Sequence, residues 1–200
     1  MKKTRLAVFV SGSGTNLQAI IDADIPCVEI ALVFSNNPGA YALERAKKHG
    51  IQCEVIDHRG YKNREEYDRD VLSAIEPYGI ELIALAGFMR IFSPVFVRAY
   101  KNRIINLHPA LLPSFPGINA AGQALEYGVK YTGVTVHFVD EGVDTGPIIL
   151  QSVVPVHEDD TEDALLERIH EEEHRIYPEA IRLVAGGMIS IEGRRVLKKT

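Results

Sequence analysis

Cysteine is scarce in this chain. Its 200 residues hold two, Cys27 and Cys53, in apolar stretches and without CxxC spacing, so neither a disulfide framework nor a zinc framework is expected. Basic charge is not in excess either. The 22 Lys and Arg residues against 27 Asp and Glu leave a net charge of −5, without the cationic surface that nucleic acid or an anionic membrane would need. No apolar run approaches the ~20 residues that cross a bilayer. The start, Met1-Lys2-Lys3-Thr4-Arg5, has the basic character of a signal peptide, but Leu6–Val10 is cut short by Ser11-Gly12 and no cleavage site follows. Internal repeats and low-complexity segments are missing. With 46% hydrophobic and 24% charged residues, the composition excludes disordered, collagen-like and coiled-coil classes. The expectation is one soluble, cytoplasmic domain spanning residues 1–200, acting on small molecules and without a nucleic-acid or membrane partner.

Short apolar runs alternate with helical patterns along the first half. Leu6–Val10, Glu29–Phe34, Cys53–Ile56, Leu82–Leu85 and Arg103–Asn106 are compact and bounded by Gly, Asn, Asp or His. Between them, Asn16–Asp22, Ala40–His49, Arg64–Glu76 and Pro94–Tyr100 repeat apolar residues at helical spacing. Such alternation predicts parallel strands joined by right-handed crossovers, with helices on both faces of a Rossmann-like α/β sheet. From Leu107 onward the pattern changes. A proline-rich loop precedes a short helix over Ala120–Tyr127, and Gly133–Val139 and Pro147–Val156 read as antiparallel strands. Thr161–Ala185 reads as a long amphipathic helix whose cap, Thr161, lacks the usual Glu three residues on. Ile189–Ile191 and Arg195–Leu197 flank Glu192-Gly193 as a terminal hairpin.

Three motifs carry chemistry. Ser11-Gly12-Ser13-Gly14-Thr15-Asn16 follows the first strand and opens the first helix, where unpaired N–H groups and the positive dipole end suit phosphate. A dinucleotide fingerprint would need glycine where Leu17 stands and an acidic residue where Ser35-Asn36-Asn37 stand. The Lys of a P-loop is missing too, so a monophosphate is the better guest. His170-Glu171-Glu172-Glu173-His174 matches the helical zinc-protease pattern. Its acidic interior and the Pro178 that follows favour a solvated charged face over a metal site, so no metal is expected. Asn106 and His108 stand two apart at the end of the fifth strand, hence on one side, and Asp140-Glu141-Gly142-Val143-Asp144-Thr145-Gly146-Pro147 adds acidic residues on a later turn. No cysteine or nucleophile elbow accompanies them. An amide, an imidazole and a carboxylate suit direct acyl transfer, with donors for an oxyanion and a group that manages protons.

The segments Val10-Ser11-Gly12-Ser13-Gly14-Thr15-Asn16-Leu17-Gln18, Ala86-Gly87-Phe88-Met89-Arg90, Asn106-Leu107-His108-Pro109-Ala110-Leu111-Leu112-Pro113 and Asp144-Thr145-Gly146-Pro147 together resemble the folate-dependent formyltransferases, and within them the phosphoribosylglycinamide formyltransferase family of purine biosynthesis. The resemblance runs from about Arg5 to Ala185. It implies a formyltransferase fold, with a nucleotide-binding half over about 1–105 and a catalytic, folate-binding half over about 106–200. It implies transfer of a formyl group from 10-formyltetrahydrofolate, as co-substrate, to the glycine amine of phosphoribosylglycinamide. Asn106, His108 and Asp144 would be catalytic, with a protonated His108 held charged by Asp144. Gly12, Ser13, Gly14, Thr15 and Asn16 would hold the nucleotide phosphate, Glu173 its ribose hydroxyls, and His170 would lie near the phosphate. Arg64, Met89, Arg90, Ile91, Phe92, Asn106, Asp140, Glu141, Gly142, Val143 and Asp144 would contact the folate. A monomer or a homodimer would both be compatible. Ala110 and Asn119-Ala120-Ala121-Gly122 depart from the pattern, which carries Ser and often histidines there. A formyltetrahydrofolate hydrolase would carry an extra N-terminal domain, for which a chain starting at its first strand is expected to leave no room. A non-catalytic nucleotide-binding module is the reading from a different class.

Overall fold

The computed structural model describes residues 2–199. Five strands alternate with helices through the first half: β1 (Thr4–Val10), α1 (Thr15–Asp22), β2 (Val28–Ser35), α2 (Ala42–Lys48), β3 (Cys53–Val55), α3 (Arg64–Ile75), β4 (Leu82–Leu85), α4 (Pro94–Ala99) and β5 (Ile104–His108). Then come α5 (Ala120–Tyr127), β6 (Tyr131–Phe138), β7 (Ile148–Pro155), α6 (Glu162–Ala185), β8 (Ile189–Glu192) and β9 (Arg195–Lys198). Among the described residues, the nine strands form one sheet in the order β3-β2-β1-β4-β5-β6-β7-β9-β8. Strands β3 to β5 in that row are parallel, while β6 runs antiparallel to β5 and β7 antiparallel to β6. The doubly covered α/β sheet expected from the alternation is the architecture observed.

The chain turns outward from β1 toward β2 and β3, then returns to place β4 on the other side of β1. That reversal opens a crevice at the carboxyl ends of β1 and β4, the general ligand position of such sheets. Two loops meet there. The Ser11 N–H donates to the Gly87 carbonyl at 3.2 Å, and the Met89 N–H donates to Ser11 Oγ at 2.9 Å.

Both faces of the sheet are apolar because both are covered. On one face α1, α2 and α6 bury Leu17, Ile20, Ala42, Ala46, Ile176 and Tyr177 against β1, β4 and β6. On the other, α3 and α4 close over an aromatic stack in which Phe92 and Phe96 lie with ring centroids 4.1 Å apart. Truncating fully buried Phe96 removes that packing, and Phe96→Ala should cost about 3–5 kcal/mol. Urea denaturation checks this, and a loss under ~1 kcal/mol would mean the layer collapses to fill the gap.

Local chemistry explains the helix starts. Asn63 caps α3 by accepting the Glu66 N–H at 2.9 Å, and Thr161 caps α6 by accepting the Ala164 N–H at 3.2 Å, without the reciprocal Glu. Pro178 lies inside α6 rather than ending it. The helix continues to Ala185 because Leu165, Ile169, Ile176, Tyr177, Ala180 and Ile181 are all buried, and that packing outweighs one missing hydrogen bond. The fifth strand reaches two residues further than its apolar run predicts. Asn106 and His108 are themselves paired across to β6.

Candidate active site

Gly14 is the hinge of the glycine loop. It sits at φ +74°, and a Cβ there would stand 2.6 Å from the Ala42 Cβ, so both backbone conformation and space call for glycine. Helix α2 holds the loop from behind, with the Ala42 N–H on the Gly12 carbonyl at 3.1 Å. Gly12, Ser13 and Thr15 are exposed at the mouth of the crevice. Asn16, on the first turn of α1, donates through Nδ2 to Glu173 Oε2 at 2.9 Å, while its own Oδ1 is buried without a partner. Glu173 is only 5% exposed. Burial pushes its carboxyl above the usual range, against the lowering effect of the Asn16 amide and nearby His170. The solvated helix face expected at 170–174 is thus corrected at its centre: His170 and Glu171 are exposed, but α6 docks on α1 and turns Glu173 inward.

The second cluster lies at the ends of β5 and β6. Asp144 receives the Gly117 N–H on Oδ2 at 2.8 Å and faces Asn106 Nδ2 at 3.4 Å, His108 Nδ1 at 3.5 Å and His137 Nε2 at 3.6 Å. Its backbone is left-handed, φ +53°, a conformation Asp tolerates and which turns the carboxylate inward. Burial raises the Asp144 pKa, but His137, the Gly117 amide and His108 outweigh it and leave the carboxyl below its ordinary value. His137 was not anticipated from sequence. It stands opposite Asn106 in the antiparallel register of β5 and β6, is 1% exposed, and accepts at Nε2 from Asn106 Nδ2 at 3.3 Å. Its Nδ1 faces the Phe138 carbonyl at 2.9 Å; a carbonyl cannot donate, so Nδ1 carries the proton. Two-residue alternation along 131–138 would have flagged it, had the strand pairing been known.

His108 departs from the expected imidazolium. Burial, with neighbouring His137 acting in the same direction, outweighs the raising effects of the Phe115 carbonyl and Asp144, and the ring is held below its ordinary pKa. The resting ring is neutral at pH 7, with Nε2–H on the Phe115 carbonyl at 2.8 Å and Nδ1 bare toward Asp144. Since the unfolded ring titrates near ~6.5, the unfolded chain binds more protons just below that pH. Stability tied to His108 is therefore full above about pH 6.5 and lost as pH falls through the lower folded value. His174, whose pKa burial also lowers, acts in the same direction. Melting temperature should fall between pH 7 and 5.5, and His108→Gln should flatten that slope without abolishing it; parallel curves would show that His108 does not titrate there.

The remaining expected contacts divide. Met89 and Ile91 are 79% and 53% exposed beside the crevice, and Arg90 stacks over Tyr67 at 4.5 Å. Phe92 points the other way, into the aromatic layer. Ser93 N–H donates to buried Asp68, whose carboxyl burial pushes up. Arg64 is exposed at the first position of α3, close enough to bias Asp68. Asp140 accepts from the Gly142 N–H at 3.1 Å and the Thr145 hydroxyl at 2.6 Å, stiffening the turn that carries exposed Val143 and Asp144. Glu141 pairs with Arg98 at 2.8 Å on the surface.

A formyl transferase family profile matches residues 4–181. The chain belongs to the formyl transferase family. A solved glycinamide ribonucleotide transformylase 1 from Symbiobacterium toebii is 50% identical, with a TM-score of 0.96 over 99% of this chain and 95% of its own. The phosphoribosylglycinamide formyltransferase of Escherichia coli is 43% identical over 93% of this chain and 89% of its length. The human trifunctional purine biosynthetic protein adenosine-3 is 48% identical over 95% of this chain. This chain spans only 14% to 19% of the length of such trifunctional relatives. Among the described residues, no helix of this formyl transferase family member is long and apolar enough to cross a membrane.

Proposed function

We propose that this chain transfers the formyl group of 10-formyltetrahydrofolate to the glycine amine of phosphoribosylglycinamide. The observation that carries the reading is the placement of two different sites at the carboxyl ends of β1 and β5, with only β4 between them in the sheet. An anion-suited glycine loop with a buried carboxylate lies beside a cluster in which an amide, two imidazoles and a carboxylate converge. The nucleotide phosphate sits on the N–H groups of Gly14, Thr15 and Asn16, and the ribose hydroxyls donate to Glu173. The folate ring lies along Met89–Phe92 and the Asp140–Asp144 turn. The family and the names of the relatives support the same substrates.

The amine lone pair adds to the formyl carbon, forming a C–N bond and an alkoxide. Asn106 Nδ2 donates to that oxygen, and the His108 Nε2–H exchanges the Phe115 carbonyl for it. One such donor is worth about 2.7–4 kcal/mol in the transition state. The proton leaving the amine enters the His108–Asp144 pair, where bare Nδ1 and a carboxylate oxygen face each other. His108 becomes an imidazolium at the step where negative charge has appeared beside it. Collapse of the tetrahedral adduct breaks the bond to N10, which takes the proton, giving the formamide and tetrahydrofolate. Atoms and charge balance without a metal.

Mixing protein with the glycinamide nucleotide and a 10-formyl folate, and following deformylated folate, tests the reading. Release that requires the nucleotide is expected. Equal release without it would mean hydrolysis, and binding without release a non-catalytic module.

A further inference from the structure

Arg45 is a cation that the proposed chemistry leaves unused. It lies on α2, half-buried behind the glycine loop, with its guanidinium 5.2 Å from the Tyr41 ring centroid. Its Nε donates to the Ser13 carbonyl at 2.9 Å and its Nη1 to Gln18 Oε1 at 3.3 Å. One turn earlier on α2, the Ala42 N–H holds the Gly12 carbonyl. Two successive loop carbonyls are thus drawn toward α2.

A trans peptide is planar, so its C=O and N–H point in opposite directions. Holding the Gly12 carbonyl aims the Ser13 N–H away from α2, and holding the Ser13 carbonyl does the same for the Gly14 N–H. Among the described residues, neither N–H has a protein acceptor. On the first turn of the helix that this loop opens, Asn16 holds Glu173, a carboxylate more than nine-tenths buried, through its amide, while Asn16 Oδ1 is buried without a partner. Arg45 also borders an open groove of about 590 Å³ with Thr15, Gln18 and His174, so its charge is not sealed from the loop's outer side.

We infer that Arg45 is a positioning residue for the nucleotide phosphate: by fixing the Ser13 carbonyl it aims the Gly14 N–H at the phosphate, and its charge adds to that of the helix end. This rests on the proposed phosphate site. Backbone amides alone would have to choose between many loop conformations, because glycines at 12 and 14 leave the segment free. A guanidinium bonded to the loop removes that freedom before the ligand arrives, and preorganisation appears as affinity.

The test compares wild type, Arg45→Gln and Arg45→Lys on the glycinamide nucleotide and on its dephosphorylated nucleoside, with melting temperatures recorded for each. Wild type should strongly prefer the nucleotide. Arg45→Gln should raise the nucleotide KM about 10- to 100-fold, the range a hydrogen bond to a charged group carries. Its kcat, its KM for the formyl folate and its kcat/KM on the nucleoside should stay within about threefold, a margin under one hydrogen bond's worth. Arg45→Lys, which keeps the charge and one donor, should recover part of the loss. Equal losses on nucleotide and nucleoside, or an unchanged nucleotide KM, would overturn the inference. A wild type that does not distinguish the two substrates would instead overturn the phosphate site itself, and the inference with it.

Discussion

Asp144→Asn should lower kcat by about 10²- to 10⁴-fold, the range general acid–base catalysis supplies, while both KM values change little. The substitution preserves shape and can still accept the Gly117 N–H, which stands 2.8 Å from Oδ2. It removes the negative charge that faces Asn106, His108 and His137 within 3.4–3.6 Å. An amide cannot take up the proton that leaves the attacking amine, nor offset a charged His108. The neutral His108 of the resting protein makes this demand sharper. Burial keeps its pKa low, so the ring gains a proton only if a neighbouring charge compensates. Single-turnover measurements at saturating substrates read the chemical step directly. Near-normal turnover in a folded Asp144→Asn protein would remove Asp144 from proton transfer and leave only the oxyanion donors.

The second large effect is expected at the other end of the crevice. Gly14→Val should raise the nucleotide KM by about 10²-fold while leaving folate binding close to wild type. A β-branched residue at φ +74° is strained by ~1–3 kcal/mol, and its Cβ would stand 2.6 Å from the Ala42 Cβ. Either the loop lifts off α2 or its dihedrals change, and in both cases the Gly14 N–H no longer points into the crevice. Gly14→Ala, with the same clash and less branching, should show a smaller loss of the same kind. Titration calorimetry with the nucleotide, alongside thermal melting, separates lost affinity from lost fold. An unchanged nucleotide affinity in a folded Gly14→Val protein would take the phosphate away from this loop.

The sequence by itself determined the α/β alternation, because buried parallel strands need continuous apolar runs and their crossovers need helical spacing. It also determined that Gly12 and Gly14 open a helix after the first strand, and that Asn106 and His108 share a side. These are local properties, set by dihedral freedom and by the two-residue repeat of a strand. Only tertiary structure decided which faces meet. His137 joins Asn106 because β6 pairs antiparallel to β5 in a particular register, and no periodicity within 131–138 names its neighbour. Glu173 leaves solvent because α6 packs its apolar stripe along α1 and brings Asn16, 157 residues away in sequence, to 2.9 Å. Phe92 belongs to the aromatic layer instead of the loop surface because the segment entering α4 stacks its ring on Phe96. The charge state of His108 was decided the same way: desolvation sums over every atom that excludes water, and those atoms come from β5, β6 and the proline loop together.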